Sequence, residues 1–339
     1  SLSADYWTKD TKDLLFQVAL PNTSGYESFV TNIGEVSNKG FDFQLGGTII
    51  KNDNFSWNSD FNISFINNKV KKLPGGNDIQ QTERYLFGGV VSILREGESL
   101  GSFYLYESNG VFSTAKEAAE AGYIDKISKS NGGQPVAGDA RWVDQNKDGV
   151  IDTKDKIIAG NPIPDFTGGL NNTIKYKGLS LDAFFQFSKG NDVYNNFRTD
   201  LVRGFNTNYL KENLDAWKQE GDITDVPRNV LLDPANNSEG VVARPSTRFL
   251  EDGSFIKLKT VTLTYEFPNS VLEKLKLSGL KVYAKGTNLL TITKYSGFDP
   301  EVSVAQNNNA GQNGGFQFGI DRGLYPLSKS ITLGLSLDF

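Results

Sequence analysis

Ile331-Thr332-Leu333-Gly334-Leu335-Ser336-Leu337-Asp338-Phe339, the last nine residues, is the stretch that decides the fold. Its odd positions are apolar and its even positions are polar or tiny. Successive side chains of a strand point to opposite faces, so this segment has one greasy face and one wet face. Its length is about that of a tilted strand crossing a bilayer, roughly 9–11 residues.

The pattern recurs upstream. Phe41, Phe43, Leu45 and Ile49 alternate with Asp42, Gln44 and Thr48. Phe55, Trp57, Phe61, Ile63 and Phe65 alternate with Ser56, Asn58, Asp60, Asn62 and Ser64. The segments Phe166–Tyr176, Leu179–Phe187, Thr260–Phe267 and Leu280–Lys285 read the same way. A soluble β-sandwich with one buried face would also alternate, so periodicity leaves two architectures open.

The connections separate them. Lys51-Asn52-Asp53-Asn54, Lys177-Gly178 and a short segment opening on Pro268-Asn269 each join two alternating strands. Long stretches, roughly 66–165, 189–254 and 290–328, lie between these hairpins. Short turns alternating with long loops mark a transmembrane barrel, with the short turns periplasmic and the long loops outside. The last strand then runs downward, and the chain starts on an upward strand near Leu2–Trp7. The stretch 66–165 is expected to add two wall strands, Val90–Arg95 and Ser102–Tyr106, with Glu96-Gly97 between them. The expected fold class is all-β, a transmembrane antiparallel β-barrel to which residues 1–339 contribute eight to ten strands with long extracellular loops. That number could close a small barrel, but the long loops argue for part of a larger one. The Asn/Gly-rich run Gln306–Gly315 reads as a loop tip.

Composition narrows the function. The 35 Lys and Arg against 40 Asp and Glu give a net charge of -5, spread along the chain, and no basic stripe for nucleic acid. There is no cysteine, hence no disulfide, thiolate nucleophile or zinc–thiolate site. There is no histidine, the commonest general base and transition-metal ligand. There is no methionine, even at position 1, so the chain is expected to be a processed or cut piece. No apolar run is long enough for a transmembrane helix, and a barrel would escape that test because only alternate residues are apolar. No carboxylate pair stands in a context that marks a catalytic dyad, and Gly168-Gly169 and Gly314-Gly315 lack phosphate-loop spacing. The chain is not expected to be an enzyme.

Residues 144–155 read Asp-Gln-Asn-Lys-Asp-Gly-Val-Ile-Asp-Thr-Lys-Asp. Asp144, Asn146, Asp148, Asp152 and Asp155 fall at loop positions 1, 3, 5, 9 and 12 of the calcium spacing. Gly149 sits where the sharp turn needs it, and Val150 would offer its carbonyl. Calcium, in a structural role within an extracellular loop, is the expected ligand, although the flanks are not EF-hand helices. An Asx-turn without an ion is the alternative. Leu210, Leu214 and Trp217 repeat at helical spacing within 208–219. Tyr104, Tyr106, Phe112, Phe197 and Phe205 are aromatics that could stack on a ligand above the barrel, although packing and membrane-girdle roles account for most such residues.

Several segments resemble SusC-like TonB-dependent transporters of Bacteroidetes, in the C-terminal half of the barrel. They are Asn32-Ile33-Gly34-Glu35-Val36 with Asn38-Lys39-Gly40, Gly138-Asp139 with the Asp144–Asp155 loop and Gly160-Asn161-Pro162-Ile163-Pro164, Phe255–Lys259 with Leu263-Thr264-Tyr265 and Pro268, and Gly286-Thr287-Asn288-Leu289 with Tyr295 and Asp299-Pro300-Glu301. The resemblance implies a barrel of about 22 strands, a plug and a TonB box outside this chain, and a SusD-like surface lipoprotein as partner. It implies import of an oligosaccharide or peptide across the outer membrane, driven through TonB. Phe339 resembles the terminal aromatic of the outer-membrane assembly signal. Two other readings remain at this point: a porin- or adhesin-like barrel without energy coupling, and a secreted, calcium-stapled, glycan-binding β-sandwich.

Overall fold

The computed structural model describes residues 1–19, 23, 25, 28–82, 90–128, 130–202, 208–230, 238–239, 242–302 and 318–339. Eight long strands form one sheet. They are β1 (Leu2–Ala19), β2 (Ser28–Lys51), β3 (Phe55–Lys72), β4 (Phe166–Tyr176), β5 (Leu179–Lys189), β6 (Phe255–Glu266), β7 (Gly279–Thr293) and β8 (Ser330–Asp338). Each pairs antiparallel with the next in chain order, as expected when every second connection is a tight turn. A sandwich would need two sheets stacked on their apolar faces. Here the apolar face of one continuous sheet is bare: Leu45, Leu181, Ile256, Leu290, Ile331, Leu333 and Leu335 are all exposed.

The bare face has the layout of a bilayer. Near the upper end Phe41 lies opposite Phe65 and Phe65 opposite Phe166. Their rings touch, with centroids 6.5 and 5.5 Å apart, and Phe166 meets Phe187 at 6.2 Å. Near the lower end Phe55 faces Tyr176, Tyr176 faces Leu179, and Leu179 faces Tyr265. From Phe55 to Phe65 the strand climbs roughly 33 Å along its axis, or about 25 Å of height at a ~40° tilt, which matches the apolar band between aromatic girdles. One amide, Asn172, falls on this face. The Trp57 indole N–H donates to its carbonyl at 3.0 Å, so neither polar group meets lipid unpaired.

The opposite face is polar and linked across strands. Asp42 accepts from the Trp7 indole at 2.9 Å and from Ser64. Thr48 donates to Asn58 and Thr173 to Asp182, both at 2.6 Å. At the lower edge Lys177-Gly178 turns β4 into β5, and a Cβ on Gly178 would lie 2.5 Å from the Glu266 carbonyl oxygen. The β6–β7 connection is longer than a tight turn and holds helix α1 (Asn269–Leu275), ended by Lys276 in the left-handed region.

Val90–Leu94 and Ser102–Tyr106 are indeed strands, but not wall strands. They form a separate four-stranded sheet with Ile79–Thr82 and Lys156–Gly160. The reason is visible in their burial: Val91, Ser92, Ile93, Leu94, Ser102, Phe103, Leu105 and Tyr106 are all buried, so both strand faces are covered by protein and none is left for lipid. Among the described residues the stretch 66–165 therefore adds no strand to the wall, whose sheet holds eight strands there. Its turn is pinned to the top of β3 instead: Gly97 N–H donates to Val70 O at 2.9 Å and Val70 N–H to Glu98 O at 2.8 Å. The run Gln306–Gly315 lies outside the described residues.

The two faces set opposite tolerances. Leu263→Arg, on the lipid face, is expected to destabilise the assembled barrel by about 2–4 kcal/mol, and its lumen-facing neighbour Thr262→Arg by far less. Denaturant titration in lipid vesicles measures both.

Candidate functional site

Above the wall the long connections build one folded lobe. Val91, Phe103 and Leu105 come from the first connection, Tyr194, Val202 and Phe249 from the second, and Ile320 from the third. They share a single core. A second cluster unites Tyr106, Ala140, Trp142 and Ile151. The loops are therefore packed on one another, as a soluble domain is.

Cations and rings alternate through the first connection, and Arg244 of the second joins them. Arg95 lies over Tyr104 at 5.3 Å, Lys156 over Tyr104 and Tyr106 at 5.8 and 5.0 Å, and Arg244 over Tyr106 and Trp142 at 5.6 and 4.5 Å. Arg244 is fully buried and pairs with Asp125 at 2.9 Å. Burial pushes the neighbouring Tyr123 phenol up to about 12, and its oxygen accepts from the Trp142 backbone N–H at 3.1 Å. In the second connection Arg198 bridges Glu212 at 2.8 Å and Glu251 at 3.2 Å. Burial pushes the adjacent Arg248 guanidinium down to about 10, which leaves it charged at neutral pH.

The aromatics singled out by the sequence divide. Tyr106 and Phe112 are buried in the lobe, so they are packing residues and not a ligand platform. Tyr104 is half-buried between Arg95 and Lys156, and Phe197 is half-buried against Phe298 at 5.6 Å. Phe205 lies outside the described residues. The expected helix at 208–219 is only a 3-10 turn, Lys211–Asp215, because Ala216 leaves helical geometry with ψ 143. Leu210 packs on the lobe core, Leu214 points to solvent, and Trp217 donates its indole N–H to Ser113 O at 3.1 Å.

The Asp144–Asp155 loop closes on its own backbone. Asp144 accepts from the Lys147 and Gly149 N–H groups at 2.7 and 2.8 Å. Asn146 accepts from Asp148 N–H and Asp148 from Val150 N–H, each at 3.0 Å. Asp152 caps the turn Thr153–Asp155 by accepting from Lys154 N–H at 2.9 Å. Asp155 is fully buried and accepts from Gln145 and Asp152 N–H groups at 3.0 and 2.8 Å. Gly149 adopts φ 76, the left-handed turn that the spacing requires. Val150 pairs with Ile124 in a short parallel bridge. Among the described residues no three His, Cys, Asp or Glu side chains are gathered as a metal centre. The carboxylates are turned to backbone N–H groups.

One cluster escaped the sequence reading. Lys257, on the lumen face of β6, is almost fully buried and reaches Asp299 at 2.5 Å and Glu301 at 2.6 Å. Lys259 reaches Glu301 at 2.7 Å. Burial by itself would raise the Glu301 carboxyl, but hydrogen bonds from Lys257 and Lys259 outweigh it and hold it below its ordinary range. Its contribution to stability is present at neutral pH and is lost only as the pH falls below that range. The signal was a lysine at an inward strand position with two carboxylates far along the chain, which no local pattern connects.

No family model matches the chain. Among curated proteins it is 37% identical over 340 residues to TonB-dependent receptor P3 of Formosa agariphila, covering 100% of this chain and 32% of that receptor. It is 27% identical over 347 residues to TonB-dependent receptor SusC of Bacteroides thetaiotaomicron, covering 99% of this chain and 30% of that one. Among solved structures it superposes on a chain of the RagAB peptide importer in its closed-closed state with a TM-score of 0.73 at 28% identity, covering 100% of this chain and 33% of that chain. The chain thus spans about a third of the length of the curated relatives it matches.

Arg244→Met would strand Asp125 inside the lobe and is expected to cost about 3–5 kcal/mol of lobe stability. Arg95→Met breaks an exposed pair with Asp78 and the contact with the Tyr104 ring, and is expected to cost no more than about 2 kcal/mol. Hydrogen exchange across 90–160 measures both.

Proposed function

We infer that this chain, related over its whole length to TonB-dependent receptors with SusC among them, builds a sector of an outer-membrane transporter wall and the lobe above it. Both edge strands, β1 and β8, pair on one side only within this sheet. Lipid would leave the other side of each unsatisfied, so the sheet is part of a wider closed wall. The function proposed for the whole protein is TonB-dependent import of a large nutrient, an oligosaccharide or a peptide. A SusD-like surface lipoprotein would cover the outer lobe, and TonB would act through a part of the protein other than this wall. The residues here serve passage and docking, not catalysis.

The observation that carries this reading is the two-faced wall under a single folded lobe, matched along its whole length by the RagAB structure. A porin- or adhesin-like barrel would share the wall, but the relatives named as TonB-dependent receptors favour energy coupling. Purification of the full-length receptor from outer membranes in detergent is expected to bring down a surface lipoprotein. Deleting tonB is expected to abolish growth on the imported nutrient. Uptake that persists at full rate without TonB would sink the reading in favour of passive diffusion.

A structural calcium in the Asp144–Asp155 loop is a separate proposal. Its support is the match of spacing, the left-handed Gly149 and the crowding of Asp144, Asp148, Asp152 and Asp155 into one loop. Calcium added to chelator-treated receptor is expected to slow hydrogen exchange across 144–155, and Asp144→Asn with Asp148→Asn to remove that response. Exchange indifferent to saturating calcium would count against the ion.

A further inference from the structure

The cluster of buried Lys257 with half-buried Lys259, Asp299 and Glu301 lies where an outer loop turns back into the barrel. Strand β7 reaches its top at Thr293, which pairs with Phe255 at the start of β6. The Thr293 hydroxyl closes that corner by donating to Ser254 O at 2.8 Å. The chain then reverses. Asp299 and Glu301 meet lysines that lie two and four residues below Phe255 on β6, roughly 7 and 13 Å down the strand. Ile256, between Phe255 and Lys257 on the other parity, is exposed on the lipid face. Residues 295–301 therefore descend along the inner side of the wall.

Three features make this more than a chance ion pair. Lys259 sits at a β-bulge: the ladder jumps from Leu258 to Thr260 against both β5 and β7. Such an extra residue re-aims a side chain, and here it brings a second ammonium to Glu301. The charges balance, two lysines against two carboxylates, and Glu301 N–H donates to Asp299 at 2.9 Å, which fixes the two acids side by side. Finally, buried ion pairs add little stability compared with an apolar packing of the same shape. What they supply is one defined docking position.

Resting on the transporter reading above, we propose that these four side chains are an ionic latch. It holds residues 295–301 as a strap against the lumen wall, and so sets how much of the barrel mouth is open to a large ligand. The strap's upper end is tied separately, by Tyr295 O–H to Asp321 at 2.5 Å and Ser296 N–H to Glu251 at 2.8 Å. Releasing the latch frees the lower end while the upper end stays tethered to the lobe.

The test uses the full-length receptor in detergent. Asp299→Asn with Glu301→Gln keeps the shapes and removes the charges. Hydrogen exchange across 295–301 is expected to rise about tenfold, with wall peptides of 255–266 unchanged. In the same background Thr260→Cys, the only cysteine this chain would then carry, reports access to the lumen wall. On intact cells displaying the same receptor, a bulky polyethylene-glycol maleimide, which reaches it only from the extracellular side, is expected to label it faster when the latch is neutralised. Unchanged exchange at 295–301, or a rise shared equally by the whole lobe, overturns the latch. Labelling no faster than in the parent overturns its role at the mouth. If the double variant fails to assemble, Lys259→Met, which leaves the Lys257 pairs intact, is read by the same two measurements. Neither readout needs nutrient or TonB, so a failure of the transport reading would be recognised separately by uptake.

Discussion

A hydrocarbon layer offers no hydrogen bonds, and this one constraint shapes most of the molecule. Between the two aromatic rows every backbone N–H and C=O must be met by a neighbouring strand. The ladders β3–β4 and β4–β5 accordingly run without interruption from Tyr176 to Phe166. On the first strand pairs most irregular register lies outside the band: the β1–β2 shifts fall between Thr11 and Phe16 and one β2–β3 shift at Glu35, while the other, between Thr48 and Ile50, falls near its lower edge opposite Trp57. The bulge at Lys259 is the exception that lies beside a wall turned inward, where side chains and a descending loop can satisfy what the ladder leaves.

Once the chain leaves the bilayer, water returns and so do the rules of soluble proteins. The first three wall strands continue well past the apolar band: β2 is 24 residues long in all, and β1 and β3 are 18 each. Beyond them apolar side chains no longer need lipid and bury one another. Phe103, Tyr194, Phe249 and Ile320, from three connections, meet in one core. Loops that share a core cannot move as independent arms, since displacing one opens a cavity against the others. The described part of the lobe thus packs as one unit above the wall.

How much of this the sequence disclosed follows from which interactions are local. Period-two alternation is local, so the segments Phe41–Ile49, Phe55–Phe65, Phe166–Phe187 and Ile331–Phe339 could be read as two-faced strands, and the turns Asn52–Asn54 and Lys177-Gly178 set their direction. Val90-Val91-Ser92-Ile93-Leu94 is equally local but does not alternate. Apolar residues on both parities, Val91 and Ile93 with Val90 and Leu94, mark a strand covered on both sides rather than a wall strand. At 208–219 the spacing of Leu210, Leu214 and Trp217 suggested a helix, yet each residue is held by a different tertiary contact or by none, and the backbone follows those contacts. The lysine–carboxylate cluster was out of reach for another reason. Lys257 and Asp299 are joined only because β7 returns to the top of β6 and the following segment folds back.

The charges show a division of labour that follows from depth. The bare outer face carries aliphatic and aromatic side chains across its width. Ion pairs gather instead on the inner side and in the lobe: Arg244 with Asp125 between two connections, Arg198 with Glu212 and Glu251 within the second connection, and Lys257 of β6 with Asp299 and Glu301 of the third. Desolvating such groups offsets most of their Coulomb attraction, so apolar cores must supply the driving force for loop packing. A greasy surface, however, tolerates many alignments, whereas a buried charge tolerates only the one that meets its partner. In a lobe assembled from three long connections, that selectivity decides which single arrangement is built above the wall.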